Sequence, residues 1–328
     1  MKILAVDDDP IILELLSQFV EAFGDHELVT AESGAEALKL CNSSATSEFD
    51  CFLFDIQMPE IDGIMLTQEI RKISKHADTP ILMLTAMSDK RYVDAAFAAG
   101  ATDYITKPFE VSELRGRLGL VEGLLEARGS RTKNSFADAA ENNAGEVQPK
   151  DTLELHEPLS IYDVENVIEY LAMENYVAHL TKSALFGSST FAFSIRQIEK
   201  LHKDLSAFEF YSLVSDVAEV ISDALTGRQF LMSYAGNGTF VCVTESGWRP
   251  DTNALMDIVN LTLSRTELYD NAGTRLQPRV SAGEPTRLIW KSGSTVMEAV
   301  SAAHTSAECA SAAHERGLKD FWLVERRA

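Results

Sequence analysis

Within the first 127 residues, short apolar runs alternate five times with amphipathic stretches, and this alternation constrains the fold more than any other feature. Ile3–Val6, Glu27–Thr30, Phe49–Phe54, Pro80–Thr85 and Ala101–Ile105 read as strands. The runs ILAV and FLF are uninterrupted, as strands covered on both faces of a parallel sheet should be. Between the strands lie helical patterns. Ser33-Gly34-Ala35-Glu36 has the form of a capping box. Ser88 or Asp89 is placed to cap a later helix that stops at Gly100. Five βα units in succession predict an α/β fold, a (βα)5 doubly wound parallel sheet with helices on both faces.

In such a sheet, ligands bind at the carboxyl ends of the strands. Asp7 and Asp8 close the first strand, Asp55 the third and Thr85 the fourth, and Lys107-Pro108 follows the fifth. Three carboxylates at adjacent strand ends repel one another unless a cation lies between them, and an oxygen-only set suits Mg²⁺. Such a cation lets a carboxylate attack phosphorus, and a lysine supplies a mobile charge for the phosphoryl group. Asp9 reads as a helix cap.

These residue types in this order resemble the receiver domain of bacterial two-component response regulators. The resemblance covers residues 1–127 and includes the Asp-Asp pair, FDIQMP, the Asp62-Gly63 turn, Thr85-Ala86 and a lysine before a cis-favouring proline. It implies that Asp55 is the phosphoacceptor and that Asp7, Asp8 and Asp55 hold Mg²⁺. It implies too that Thr85, Lys107 and Tyr104 form the phosphoryl switch, and that Gln57 and Met87 tune phosphoryl lifetime. A sensor histidine kinase or phosphotransfer protein of a phosphorelay is the implied donor.

Past the fifth strand, Val111, Leu114, Leu118, Val121 and Leu125 form a helical stripe. Its first half is expected to pack on the sheet, and its distal half offers a seam for a homodimer. Residues 128–158 are polar and unpatterned and read as a flexible linker. Residues 159–328 mix helices with a hairpin and read as a second, α+β domain. Ile161–Leu185 is read as helical, Phe191–Ile195 as a strand, Asp251–Tyr269 as a helix and Leu276–Ala282 as a strand. Thr295–Ala313 is read as a helix and Phe321–Val324 as a last strand.

The hairpin is marked by Asn237-Gly238 between two apolar runs, the strongest short signal for a tight turn. With Val280-Ser281-Ala282-Gly283 and the order of elements, this half resembles the nucleotidyl cyclases named for their GGDEF motif. Phe240 matches the motif's Phe, so Gly236-Asn237-Gly238-Thr239-Phe240 stands where GGDEF should be. The resemblance puts Gly238 and Thr239 at the acidic positions and Ser194 at the first metal position. It puts His202 and Tyr211 at the guanine-reading positions. The inhibitory cyclic di-GMP motif falls on Gly227-Arg228-Gln229-Phe230, without its key residues. No Asp or Glu lies between Asp223 and Glu245. A site without carboxylates does not clamp metal and triphosphate, so no cyclase activity and no nucleotide cofactor are expected.

Charge narrows the partners. The net charge is −21. Residues 1–127 carry 23 acidic and 10 basic side chains, residues 128–158 carry 6 and 4, and residues 159–328 carry 21 and 15. No segment is basic, which makes nucleic acid an unfavourable partner. No apolar run reaches the ~20 residues of a membrane span. The start, MKILAVDDDP, is unlike a signal peptide, and four scattered cysteines fit a reducing compartment, so a cytoplasmic protein is expected. The sequence thus reads as a bacterial response regulator. Its phosphorylation switches a catalytically inactive GGDEF-like domain that acts by binding a downstream protein. An active divergent diguanylate cyclase and a transcriptional regulator with an unrecognised DNA-binding surface are the alternatives.

Overall fold

Parallel pairing needs a crossover after each strand, and the amphipathic helices of the N-terminal half supply it. In a computed structural model, the chain divides into two units, Met1–Pro149 and Lys150–Ala328. The structure describes residues 1–24, 26–43, 48–86, 90–125, 153–161, 164–180, 182–245, 247–288 and 293–325.

The first unit runs β1 (Lys2–Val6), α1 (Pro10–Phe23), β2 (Glu27–Ala31), α2 (Gly34–Asn42), β3 (Cys51–Asp55) and α3 (Gly63–Arg71). It continues with β4 (Ile81–Thr85), α4 (Lys90–Ala98), β5 (Asp103–Thr106) and α5 (111–125). The strand order is β2-β1-β3-β4-β5, with every pair parallel. Alternate residues of one strand serve opposite cores. Phe52 and Phe54 join the core under α2 and α3, while Cys51 and Leu53 join that under α1 and α5. This is the doubly wound sheet expected. Asp9 caps α1 by accepting from the Ile11 N–H. Ser33 caps α2, and Glu36 reaches back one residue further, to the Glu32 N–H. Ser88, Asp89 and Met87 lie outside the described residues.

The stripe on α5 packs on the sheet beyond its first half. Leu114, Leu118 and Val121 are all buried in the unit's own core, and Leu125 packs against it. The distal half therefore also packs on the unit's own core.

The second unit runs α6 (Tyr170–His179), α7 (Lys182–Gly187), β6 (Ser189–Ile195), α8 (Ile198–Asp204), α9 (Ala207–Ala224), β7 (Phe230–Tyr234) and β8 (Thr239–Thr244). Then come α10 (Thr252–Arg265), β9 (Leu268–Tyr269), β10 (Arg275–Leu276), β11 (Val280–Ala282), β12 (Thr286–Arg287) and α11 (Gly293–Glu325). Its main sheet has the order β11-β6-β8-β7 with antiparallel neighbours, and β12 also pairs with β6. Strand, helices, hairpin, helix, strand in this order is the split βαβ arrangement. Phe191, Phe193 and Ile195 face a core built with α9 and α10, and α11 packs against β6, β8 and β11.

Several expectations are corrected here. Helix does not begin at Ile161. Asn166 takes a positive φ of 61°, and Val167 makes a parallel bridge to Met232 of β7, so this stretch serves the sheet. Leu276–Ala282 is two short strands, and Phe321–Val324 continues α11. A four-residue apolar run cannot by itself distinguish strand from helix. Of the segment read as a linker, residues 128–152 lie outside the described residues. Leu153 and Leu155 pack on the second unit's core. No helix of the described residues is long and apolar enough to cross a membrane. Burial pushes the thiols of Cys41 and Cys51 up to about 11 and about 12, which makes them poor nucleophiles at neutral pH.

Candidate functional site

The strand order reverses between β1 and β3, and the acidic residues stand at the carboxyl ends of those two strands. Asp7 is buried, Asp55 is 5% exposed and Asp8 faces solvent. Carboxylate oxygens of the three lie within 4.8 Å of one another. Lys107, directly after β5 and before a cis bond to Pro108, donates to Asp7 Oδ2 and Asp55 Oδ1 at 2.6 Å each. Burial raises the Asp55 pKa, and the Lys107 ammonium only partly offsets this. Burial alone would lower the Lys107 pKa, but its bonds to the two carboxylates raise it.

Backbone geometry fixes Asp55. The Gln57 N–H donates to its Oδ2 at 2.8 Å, and Ile56 N–H donates to the Leu84 carbonyl. Gly63, at the start of α3, lies so close that a Cβ there would overlap the Asp55 carbonyl oxygen. Thr85 is buried at the end of β4, and its carbonyl accepts from the Lys107 N–H. Tyr104 is half-buried on β5, edge-on to Phe97 at 6.2 Å between centroids. The structure thus brings Asp7, Asp8, Asp55 and Lys107 into one cluster, with Thr85 on the adjoining strand. The cluster is an oxygen-only donor set with one mobile cation, a chemistry that fits a hard divalent ion.

At the second unit's hairpin, the register sets Ser194 opposite Thr239 on one side and Ser281 on the other. Three buried hydroxyl residues thus stand in a row across three strands. Among the described residues, Thr239 Oγ1 has no hydrogen-bond partner. Asn237 and Gly238 take φ of 51° and 71°, as a tight turn with two left-handed residues requires. Phe240 is buried against the Tyr234 ring. Tyr211 is half-buried on α9. Two features were not found by reading the sequence. The Tyr234 hydroxyl accepts from the Gly238 N–H, and burial pushes its pKa up to about 12. His202 and Asn237 are both bonded to the chain just before the second unit's core.

A doubly wound sheet with this acidic, lysine-bridged cluster at its switch point defines a phosphoacceptor type of domain. Residues 3–119 match the model of the response regulator receiver domain, and the N-terminal unit is a receiver domain of a two-component system. The DNA-binding dual master transcriptional regulator RpaA of Synechocystis is 35% identical over 117 residues, 36% of this chain and 47% of that protein. The transcriptional regulatory protein SrrA of Staphylococcus aureus is 36% identical over 148 residues, 44% of this chain and 55% of that protein. The chain spans about half the length of these curated relatives. Among solved structures, the chemotaxis protein CheY4 of Vibrio cholerae is 34% identical, covering 37% of this chain and 97% of that one, with a TM-score of 0.35.

Proposed function

We propose that the chain is a response regulator in which phosphorylation of Asp55 switches a non-catalytic, GGDEF-like output domain. The observation that carries the first half is the geometry of Asp55, nearly buried, aligned by its backbone and paired with Lys107. Its carboxylate attacks the phosphorus of a donor phosphohistidine, the P–N bond breaks, the imidazole leaves, and an acyl phosphate forms. Asp7, Asp8 and Asp55 are the residues that would hold Mg²⁺, which when bound would neutralise an incoming phosphoryl oxygen. Lys107 then exchanges its Asp55 partner for a phosphoryl oxygen, and Thr85 and Tyr104 follow. The donor is a sensor histidine kinase or phosphotransfer protein.

The output half is supported by the hydroxyl row Ser281–Ser194–Thr239, which offers no carboxylate for a metal–triphosphate clamp. On this reading the second unit is not an enzyme and signals by contact with a downstream protein. A second reading, a transcriptional regulator, is favoured by the names of RpaA and SrrA. Phosphodonor labelling tests the switch. Purified protein incubated with Mg²⁺ and a small-molecule phosphodonor is expected to gain one hydroxylamine-labile phosphoryl group, and Asp55→Asn to gain none. Undiminished labelling of Asp55→Asn overturns the assignment.

A further inference from the structure

Positions that the cyclase resemblance assigns to nucleotide handling are engaged with the chain's own backbone. Leu153–Glu157 crosses the hairpin tip as a strap. The Leu155 carbonyl accepts from the Asn237 N–H at 2.7 Å. The Leu153 carbonyl lies 2.6 Å from His202 Nε2. A carbonyl only accepts, so Nε2 carries the ring proton. The imidazole is set edge-on to Phe210 at 4.9 Å. Gly236, at a φ of 89°, lets the His156 carbonyl close onto the tip, where any Cβ would overlap that oxygen. Leu153 and Leu155 are partly buried against the core. Leu155 also walls a cleft of about 500 Å³ beside the tip, with Ser194, Glu199, Lys200, Glu308 and Glu315 among its lining. Three carboxylates against one ammonium make that cleft unfavourable for a triphosphate.

We propose that Leu153–Glu157 is a tethered ligand. The groove between the hairpin tip and α8 binds the segment by which the chain enters this unit, in the place where a cyclase would bind nucleotide. The docking stands on the contacts themselves. Its meaning as a replaced nucleotide site rests on the degenerate-cyclase reading.

Amide exchange measured by NMR on the full chain tests the proposal. The Asn237 amide is expected to exchange at least about tenfold faster in H202A/L155D than in the wild type, as local opening predicts. Val241 and Cys242 in the hairpin should keep their rates, which shows that the variant is folded. His202→Gln alone, which keeps a donor, should stay near the wild type. Equal Asn237 exchange in the wild type and the double variant overturns the docking. Adding GTP with Mg²⁺ to the wild type should leave Asn237 unchanged, and acceleration by nucleotide also overturns the proposal. Production of a cyclic dinucleotide with Asn237 still protected would sink the degenerate-cyclase reading while upholding the docking.

Discussion

His76 is fully buried in the receiver between the rings of Phe49 and Phe52, at 6.1 and 5.3 Å between centroids. Among the described residues its Nε2 has no hydrogen-bond partner, and Nδ1 lies 3.4 Å from Thr79 Oγ1. Burial, reinforced by the charge of Lys75, lowers its pKa. A histidine held neutral in the fold binds fewer protons than in the unfolded chain. Stability is therefore lost as pH falls below the unfolded value of about 6.5 and continues to fall until the folded value is passed. Urea midpoints at pH 7.5 and 5.5 should show the wild type losing ground to His76→Phe on acidification. A gap that does not change with pH would contradict the assignment. Gly63 carries a different constraint, legible in the sequence only as a turn glycine. Gly63→Ala forces the new Cβ against the Asp55 carbonyl, a backbone atom that cannot yield without moving the carboxylate. The expected cost is about 1–3 kcal/mol, with phosphodonor labelling falling alongside the melting temperature. A variant that melts and labels like the wild type would show that the close approach is relieved elsewhere.

At the scale of elements, periodicity shows that a face is apolar but not what covers it. The α5 stripe is a case in point. Its spacing suits both a sheet-packed helix and an inter-chain seam, and the burial of Leu114, Leu118 and Val121 in one core shows the first of these. Leu118→Ala should therefore cost about 2–5 kcal/mol of receiver stability. Leu120→Ala, at a position 63% exposed, should change it by no more than about 0.5 kcal/mol. Denaturant titration of the full chain checks both. A Leu118→Ala protein that keeps its stability but loses a dimer would restore the seam. The same ambiguity explains the misread stretch from Ile161. Ile161, Val164, Ile168 and Leu171 share helical spacing, yet the backbone around Val167 finds its hydrogen bonds on β7. The Ile168 N–H donates to the Met232 carbonyl, and the Met232 N–H donates to the Asn166 carbonyl. Strand pairing with a distant partner leaves no local mark. The hairpin was legible because Asn237-Gly238 states its backbone geometry directly, whereas the strap across it depends on contacts far apart in sequence.

At the scale of the whole molecule, the receiver was legible because its chemistry must sit at fixed strand ends, and the ends of four strands carry Asp7 and Asp8, Asp55, Thr85 and Lys107. On the proposed reading, the second unit is marked by what replaces such residues, and its role is argued from charge and surface. DNA affinity comes largely from release of counterions by clustered Lys and Arg. Residues 159–328 carry 21 acidic against 15 basic side chains, and the whole chain a net charge of −21. The relatives named as transcriptional regulators match this chain through its receiver domain, which does not require that the output be shared. Full-length protein, with Asp55 phosphorylated, is expected to show no binding to duplex DNA that weakens steeply between 50 and 200 mM salt, the range over which about 6–10 phosphate contacts would be exposed. The same sample given GTP and Mg²⁺ should release no cyclic dinucleotide. Salt-sensitive DNA binding would move the output to transcription, and turnover of GTP would move it to catalysis. An outcome with neither would favour the proposed protein-contact output, and the hydrogen bonds at the hairpin tip become the place to look for the signal.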